Sequence, residues 1–209
     1  MSNIDLRSEP FLWIHLAGVV LFPLFLAVSI IGFGIGDSYP YVLELVLAIA
    51  IGILPVLVMQ WVRPFNIFSV LFLSLKPESL SEDRRVILSL FKTWKQKLMS
   101  AIAGGIMVVV LWPLYRLSPL AVGLTDFFPH LRVLGLSIAT VAFLASNLFL
   151  QVPLSVLLVL RTKKSKLERV ESYPSEQIEQ DFTTPGIKID RILWFLKPPP
   201  NAATEGENL

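Results

Sequence analysis

The chain consists of four long apolar runs separated by polar connections. Each run meets or approaches the roughly 20 residues that a helix needs to cross the hydrocarbon core of a bilayer. The runs lie at 11–36, 41–62, 98–115 and 133–160, and Glu44 is the single formal charge within them. Because backbone polar groups cannot stay unpaired in lipid, each run is predicted to be helical. The pattern predicts an all-α polytopic membrane protein, with a four-helix transmembrane domain over residues 1–160.

The basic residues between the runs predict how the helices are oriented. Sixteen of the eighteen Lys and Arg side chains lie in the N-terminal arm, in the 63–97 connection or after residue 160. The connections on the other side carry only Arg116 and Arg132. Lys and Arg are enriched in short cytoplasmic loops. We therefore expect both termini and the 63–97 connection to lie in the cytoplasm.

The connection between the second and third runs contains two further features. Residues 65–75 are apolar but too short to span, which favours an interfacial or re-entrant segment. Residues 82–97 are predicted to form a cytoplasmic amphipathic helix, because apolar residues recur there at helical spacing opposite basic ones. Its apolar face consists of Val86, Ile87, Leu90, Phe91, Trp94 and Leu98. This face could lie on an anionic lipid surface or pack against the protein's own helices, and the sequence leaves both open.

The segment 161–209 differs in composition from the runs before it. It carries eight basic and eight acidic residues and few aromatic ones. We therefore expect a flexible cytoplasmic tail that is largely extended. An apolar patch at 187–196 interrupts this tail. The patch could be an interfacial anchor, a docking segment for a partner, or a strap across the cytoplasmic face of the bundle.

The overall composition excludes several classes of protein. Hydrophobic residues make up 54% of the chain and charged residues 16%, which excludes disorder for most of its length. A net charge of +2 gives no support for a nucleic-acid partner. The absence of cysteine excludes disulfides and thiolate chemistry. The expected partners are membrane lipids and a membrane-protein complex.

Polar residues inside the apolar runs are the candidates for a cofactor-binding site. Asn147 and Gln151 are four positions apart and therefore share one face of the fourth run. His15 lies about one turn inside the first run. Gln60 lies at a similar depth in the second run and could form a hydrogen bond with it. Chlorophyll, a carotenoid or a lipid are the ligands left open, although no cofactor or metal is predicted. The competing interpretation is structural, since such amides usually bond to neighbouring helices. Glu44, near the outer end of its run, is expected to reach outer water.

The sequence gives little support for catalysis. Neither an H-E-x-x-H zinc motif nor a phosphate-binding loop is present. The two histidines, His15 and His130, fall on opposite sides of the predicted membrane. A histidine-based triad or a metal site built from several histidines is therefore not available, and we expect a protein that is not an enzyme.

Four stretches of the sequence carry a family resemblance. They are RSEPFLWIHLAG at 7–18, IGILP at 51–55 with QWVRPF at 60–65, LKPE at 75–78 with RRVILSLFK at 84–92, and ASNLFLQVP at 145–153. Together they resemble the low-complexity tail membrane proteins of cyanobacteria, over about residues 5–160. The resemblance implies a cyanobacterial thylakoid or plasma membrane. That family has no established activity, so the resemblance implies no site residues.

The sequence leaves three functional hypotheses. The first is a non-catalytic accessory, scaffold or assembly protein of the membrane, with a photosynthetic membrane complex as candidate partner. The second is a small carrier or channel for an apolar or weakly polar solute. It rests on the Asn147–Gln151 face and on the kinks expected from one proline in each run, at 23, 55, 113 and 153. The third is a pigment- or lipid-binding membrane protein that uses His15, Asn147 or Gln151.

Overall fold

Four long helical segments, here called spans 1–4, form the body of the protein in the computed structural model. The structure describes residues 5–70, 72–121, 123 and 130–190. The spans cover Pro10–Gly34, Tyr41–Val62, Trp94–Ala121 and Arg132–Leu160, and each is long and apolar enough to cross a bilayer. The prediction of an all-α polytopic membrane protein with four transmembrane helices is confirmed. Span 3 begins four residues before the predicted run and ends six residues after it.

The elements within and between the spans follow in chain order. The helices are α1 (Pro10–Ala17), α2 (Leu21–Gly34), α3 (Tyr41–Gly52), α4 (Leu54–Val62), α5 (Glu82–Ser89), α6 (Trp94–Leu117), α7 (Arg132–Leu160), α8 (Lys164–Leu167) and α9 (Ser175–Asp181). The strands are β1 (Ser69–Val70), β2 (Leu73–Leu75) and β3 (Ile187–Ile189). Short 3₁₀ turns occupy Leu6–Ser8, Gly18–Val20, Pro77–Ser79, Leu90–Lys92 and Ser118–Ala121.

Spans 1 and 2 are each interrupted close to a proline. In span 1 the 3₁₀ turn Gly18–Val20 precedes Pro23, and in span 2 the α-helix breaks at Ile53, two residues before Pro55. Proline has no N–H to donate, and its ring clashes with the carbonyl four positions earlier. The helices containing Pro113 and Pro153 continue without interruption. Two of the four transmembrane prolines therefore break their helices.

Span 4 packs at the centre of the bundle, with spans 1, 2 and 3 around it. Spans 1 and 4 approach closely because glycines face each other. A Cβ added to Gly32 would lie 2.5 Å from the backbone nitrogen of Ala139, and one added to Gly135 would lie 2.6 Å from the Cβ of Ile35. Ser29 Oγ also donates a hydrogen bond to the Ala139 carbonyl at 2.9 Å. The small residues of spans 1 and 4 thus allow backbone-to-backbone contact, as is usual in membrane helices.

A layer of short elements covers one end of the bundle. We call this end the basic end; it carries residues 63–70, 72–93 and 161–190. Strands β1 and β2 form an antiparallel hairpin, and β3 pairs in parallel with β2, with Leu73 opposite Ile187 and Leu75 opposite Ile189. Within the segment 65–75, expected to be interfacial or re-entrant, Ser69–Val70 and Leu73–Leu75 therefore belong to a sheet, and Ile67 and Phe68 are fully buried. Strand pairing bonds this part of the backbone.

The tail departs from the prediction of a largely extended segment. Residues 164–189 contain α8, α9 and β3, and Ile178 and Phe182 have no exposed surface. The few apolar side chains of this segment share a core with α5 and the hairpin, which explains how a polar sequence becomes ordered. Residues 187–189 of the apolar patch form β3, which pairs with β2 along the edge of the hairpin. Residues 191–209, including the rest of the patch, lie outside the described residues.

The helix predicted at 82–97 is shorter and ends within its apolar pattern. Helix α5 stops at Ser89, a 3₁₀ turn follows, and Thr93 is extended before span 3 begins. Val86, Ile87 and Phe91 are buried in the core shared with the tail. Of the two interpretations, packing against the protein itself is the one adopted by these three side chains. Trp94 and Leu98, assigned to the same face, are exposed at the start of span 3.

Candidate functional site

A hydrogen-bonded network joins spans 2, 3 and 4 through the two amides that the sequence singled out. Asn147 Nδ2 donates to the carbonyls of Gly52 at 3.2 Å and Ile53 at 3.4 Å. Gln151 Nε2 donates to Asn147 Oδ1 at 3.0 Å. Ser100 Oγ, from span 3, donates to Gln151 Oε1 at 2.6 Å. The structure thus brings Asn147 and Gln151 together in one continuous network.

The break in span 2 positions the acceptors of this network. Ile53 has φ −114° and ψ −53°, and Pro55 supplies no N–H to the turn before it. The Gly52 and Ile53 carbonyls lie at this break, where the Asn147 amide reaches them. A Cβ on Gly52 would lie 2.7 Å from the Phe143 ring, so glycine permits this approach of span 4. The proline and glycine of span 2 therefore create the place where the Asn147 side chain binds.

Both side-chain amides are buried, and both the nitrogen and the oxygen of each one are hydrogen-bonded. Asn147 is fully buried and Gln151 is 1% exposed, and the nitrogen and oxygen of each amide make hydrogen bonds. Interhelical side-chain bonds of this kind contribute roughly 0.6–2 kcal/mol each. The chemical role of this network is therefore to connect spans 2, 3 and 4 by hydrogen bonds.

His15 lies apart from this network, at the basic end of span 1. Its Nδ1 is 2.8 Å from the carbonyl of Phe11, one turn earlier, and its ring packs 5.6 Å from that of Phe65. The bond to Gln60 that the sequence allowed does not form. Gln60 is 5% exposed, and its Nε2 has no hydrogen-bond partner among the described residues. The three candidate residues therefore occupy two places, with His15 in one and the amide pair in the other.

An ion pair at the other end of the bundle was not predicted. Arg132 begins span 4, and its Nε donates to Glu44 Oε1 at 2.6 Å while its Nη2 donates to Glu44 Oε2. Its Nη1 donates to the carbonyls of Phe33 at 2.8 Å and Ile35 at 2.9 Å. Glu44 Oε1 also accepts the backbone N–H of Tyr39 at 2.8 Å. This cluster ties the ends of spans 1, 2 and 4 together.

The burial of this pair corrects the expectation for Glu44. The carboxylate was expected to reach outer water, but its side chain is 0% exposed and that of Arg132 is 5% exposed. Gly36, with φ +72°, turns the chain after span 1, and a Cβ there would lie 2.6 Å from the Arg132 backbone nitrogen. A residue without a side chain is therefore required where span 1 ends against Arg132. The sequence did contain a signal for this ion pair. It places Glu44 one turn inside span 2 and Arg132 at the start of span 4, at the same end of the bundle.

Polar contacts also hold the tail against the basic end. Arg63 Nη2 donates to the carbonyls of Glu179 at 2.6 Å and Phe182 at 3.1 Å. Lys92 Nζ lies 2.8 Å from Asp181 Oδ1, and the hydroxyl of Tyr173 donates to the same carboxylate. The hydrogen bond from Lys92, followed by that from Tyr173, lowers the pKa of Asp181. Burial, followed by the bond to Asp181, raises the pKa of Tyr173. Both shifts favour the ionisation states in which the tail is docked.

No metal-binding cluster occurs in the described part of the chain, where no group of three or more His, Asp and Glu side chains could hold an ion.

Comparison with known proteins gives one match. A family model described as low-complexity tail membrane protein-like matches residues 8–194. No curated protein and no solved structure matches the chain. The match extends through the docked part of the tail, so the segment that folds onto the basic end belongs to the region characteristic of the family.

Proposed function

Because the chain belongs to the low-complexity tail membrane protein-like family, whose description is that of a membrane protein, we propose that it is a non-catalytic accessory or assembly protein of a larger membrane complex. The observation that carries this proposal is the use of the buried polar side chains. Asn147 bonds to span 2, Gln151 accepts a bond from Ser100 of span 3, and Arg132 of span 4 pairs with Glu44 of span 2. Their chemistry supports a rigid bundle, which is what a scaffold requires.

The surfaces of the molecule also support an accessory role. Large aliphatic side chains cover the outside of the spans, among them Val20, Val58 and Val109, each more than half exposed. Outside the spans, Phe72 and Ile187 are 77% and 68% exposed and adjacent, since the Ile187 N–H donates to the Phe72 carbonyl at 2.7 Å. Exposed apolar patches of this kind mark contacts with other proteins or with lipid. We propose that the patch of Phe72 and Ile187 contacts a partner beside the membrane.

Affinity purification of the chain in mild detergent, after cross-linking in its native membrane, tests this proposal. We expect a reproducible partner at near-stoichiometric amount, and a photosynthetic membrane complex if the resemblance to cyanobacterial proteins identifies the membrane. The double substitution Phe72→Ser and Ile187→Thr should reduce recovery of the partner. The matched control is Leu120→Ser, since Leu120 is 80% exposed but lies at the other end of span 3. Migration as a lone protomer with no partner would overturn the proposal.

The orientation of the bundle is part of the same proposal. The bias of Lys and Arg supports a cytoplasmic location for the basic end and for both termini. The chain has no cysteine, so single cysteines can be introduced without background labelling. In sealed membrane vesicles with the cytoplasmic face outward, Ser79→Cys, at the basic end, should be labelled by a membrane-impermeant thiol reagent, whereas Asp37→Cys, in the turn between spans 1 and 2, should be protected. The reverse pattern would contradict the proposed orientation.

The pigment-binding alternative has its own direct test. A pigment bound near His15, Asn147 or Gln151 would give the purified protein a visible absorption band that disappears when those residues are substituted. A colourless preparation from photosynthetic membranes would overturn that alternative. The carrier or channel alternative stays a prediction, tested by solute uptake into vesicles that contain the protein.

A further inference from the structure

A half-open cavity lies at the basic end, where spans 3 and 4 leave the apolar part of the molecule. Its volume is about 290 Å³. Leu158 and Val159, in the last turn of span 4, line the part nearest the spans, and Lys95 and Gln96, in the first turn of span 3, line another wall. Small-molecule sites in proteins begin at about 300 Å³. The cavity is therefore of a size that suits a small polar group.

Four basic residues line this cavity and no acidic residue does. They are Lys95, Arg161, Lys163 and Lys166. Elsewhere in the described residues, Lys76, Arg84, Lys92, Arg132 and Lys188 each form an ion pair with a carboxylate. None of the four cavity residues forms such a pair with a described residue. A concave site lined by one sign of charge attracts ligands of the other sign, so the occupant that suits this cavity is an anion.

The start of span 3 adds a second positive contribution. Thr93 is the N-cap residue of α6, but its side chain does not accept a bond from the helix. Its hydroxyl instead donates to the Leu90 carbonyl at 3.3 Å. The first N–H groups of a 24-residue helix are thus left without a side-chain cap beside the cavity. Uncapped N–H groups and the helix dipole both favour an anion at this position.

Gln96 supplies an independent observation that points to a ligand. Its side chain is 4% exposed, and its Nε2 donates to the Ser155 carbonyl at 3.0 Å. That bond fixes which end of the amide is nitrogen, because a carbonyl can only accept. The Oε1 has no hydrogen-bond partner among the described residues. Gln96 lines the cavity and a buried acceptor without a donor is unfavourable, so a ligand hydroxyl that donates to Oε1 would be favoured there.

We propose that this cavity binds a phosphate ester that carries a free hydroxyl group. The phosphate would lie among Lys95, Arg161, Lys163 and Lys166, and the hydroxyl would donate to Gln96 Oε1. A phosphatidylglycerol headgroup and a soluble glycerol phosphate share this chemistry. The neighbouring Leu158 and Val159 are suited to the first acyl carbons of a lipid, which makes the headgroup the source to test first.

The test uses the full chain in neutral detergent, with lipid binding measured by native mass spectrometry. Short-chain phosphatidylglycerol, phosphatidylmethanol and phosphatidylcholine serve as probes, because the second lacks the hydroxyl and the third lacks the net charge. We expect phosphatidylglycerol to bind about fivefold more tightly than phosphatidylmethanol, the difference of one hydrogen bond. Binding of phosphatidylcholine should be the weakest of the three. Equal binding of all three lipids, without binding of glycerol 3-phosphate, would overturn the proposal.

Lysine variants distinguish a built site from general attraction to a basic surface. Lys163→Gln and Lys166→Gln should each weaken phosphatidylglycerol binding about fivefold. Lys164→Gln removes the same charge from the intervening turn, but Lys164 does not line the cavity, so we expect less than a twofold change. Equal losses in all three variants would show a surface effect only and contradict the proposal.

Two further arms test the hydroxyl contact and identify the source of the phosphate. Gln96→Met keeps the approximate side-chain volume but removes the Oε1 acceptor, together with the Nε2 bond to Ser155, and it should abolish the preference for phosphatidylglycerol over phosphatidylmethanol. A persisting preference would contradict the role of Gln96. Glycerol 3-phosphate, titrated into the same protein, should compete weakly if the native ligand is a lipid. Competition at lower concentration than phosphatidylglycerol would support the site and assign it to a soluble phosphate ester.

Discussion

Arg132 forms a two-point ion pair with Glu44, the single acidic residue within the four spans. Because Nη1 of Arg132 also binds the end of span 1 through the Phe33 and Ile35 carbonyls, one guanidinium group holds three helices. The same carboxylate also accepts the Tyr39 N–H. The buried pair therefore acts as a structural unit, and it makes a definite prediction about stability.

We predict that Glu44→Ala strongly destabilises the bundle. The substitution leaves the Arg132 charge buried without its carboxylate partner, which costs about 3–5 kcal/mol. The free energy of unfolding can be measured by titration with SDS in mixed micelles. The matched control is Arg116→Gln, at the same end, because Arg116 is exposed and its Cζ lies 5.9 Å from the centre of the Trp112 ring.

The double variant Glu44→Ala with Arg132→Met separates the charge effect from loss of packing. Removing both charges should restore part of the stability, since no unpaired ion remains in the apolar bundle. A double variant as unstable as the sum of its single substitutions would show that the two residues do not act as a pair.

Disruption of the Asn147 network should have a smaller effect. Asn147→Leu removes the bonds to span 2 and to Gln151, and we expect a loss of roughly 1–2 kcal/mol by the same SDS titration. Ser100→Ala removes one bond and should cost less. Because Ser100 reaches Asn147 only through Gln151, the two losses should not add when combined. Strict additivity would contradict a continuous network.

The glycines between spans 1 and 4 give a steric prediction. Gly32→Ala places a methyl group 2.5 Å from the backbone of Ala139, so the two helices must separate and lose packing. Gly105→Ala is the matched control, because a Cβ there meets nothing within 4 Å. We expect a clear fall in melting temperature for the first. The second should have no effect or stabilise slightly, since alanine favours helix by about 1 kcal/mol over glycine.

Docking of the tail should depend on pH through Asp181. Lys92 and then Tyr173 lower the pKa of this carboxyl below its ordinary value of 3.8. The stabilising contribution is therefore complete above the ordinary value and is lost as the pH falls through the lowered one. At alkaline pH the sign is opposite for Tyr173, because burial and Asp181 raise its pKa. Its contribution is present below its ordinary value of 10.0 and is lost as the pH rises through the raised one.

Spin labels at Ser79→Cys and Gln177→Cys can measure this docking in the cysteine-free chain. We expect a short, narrow distance distribution at neutral pH and a broader one in strong acid. In Asp181→Asn the acid transition should disappear and the distribution should already be broader at neutral pH. An unchanged acid transition in Asp181→Asn would assign the effect to other groups.

Hydropathy along the sequence was enough to predict the membrane spans. It was not enough to predict contacts between residues that are far apart in the chain. The four spans were predictable because each run exceeds or approaches the bilayer thickness, and Asn147 and Gln151 shared a face because they are four positions apart. The pairing of Glu44 with Arg132 was missed because it depends on the helix order and rotation within the bundle. The helix break at Thr93 was missed because apolar spacing continues through it.

The folded tail illustrates the same limit. Residues 161–190 are polar on average, so composition favours an extended chain. Their order depends on partners far away in sequence, such as the bridge between Phe65 and Thr183 and the pairing of β2 with β3. No local pattern encodes such contacts, although the alternation of Ile187 and Ile189 is typical of a strand.

The parallel pairing of β2 with β3 has a consequence for biosynthesis. Ser74 bonds to Pro185, which is 111 positions later in the chain, and spans 3 and 4 lie between them. The ribosome therefore releases β2 long before its partner exists, and both later spans must enter the bilayer before the strands can meet. The sheet can therefore form only after β3 has been translated and spans 3 and 4 have been inserted. In a prematurely terminated chain the edge of β2 would stay unpaired and accessible to quality-control factors.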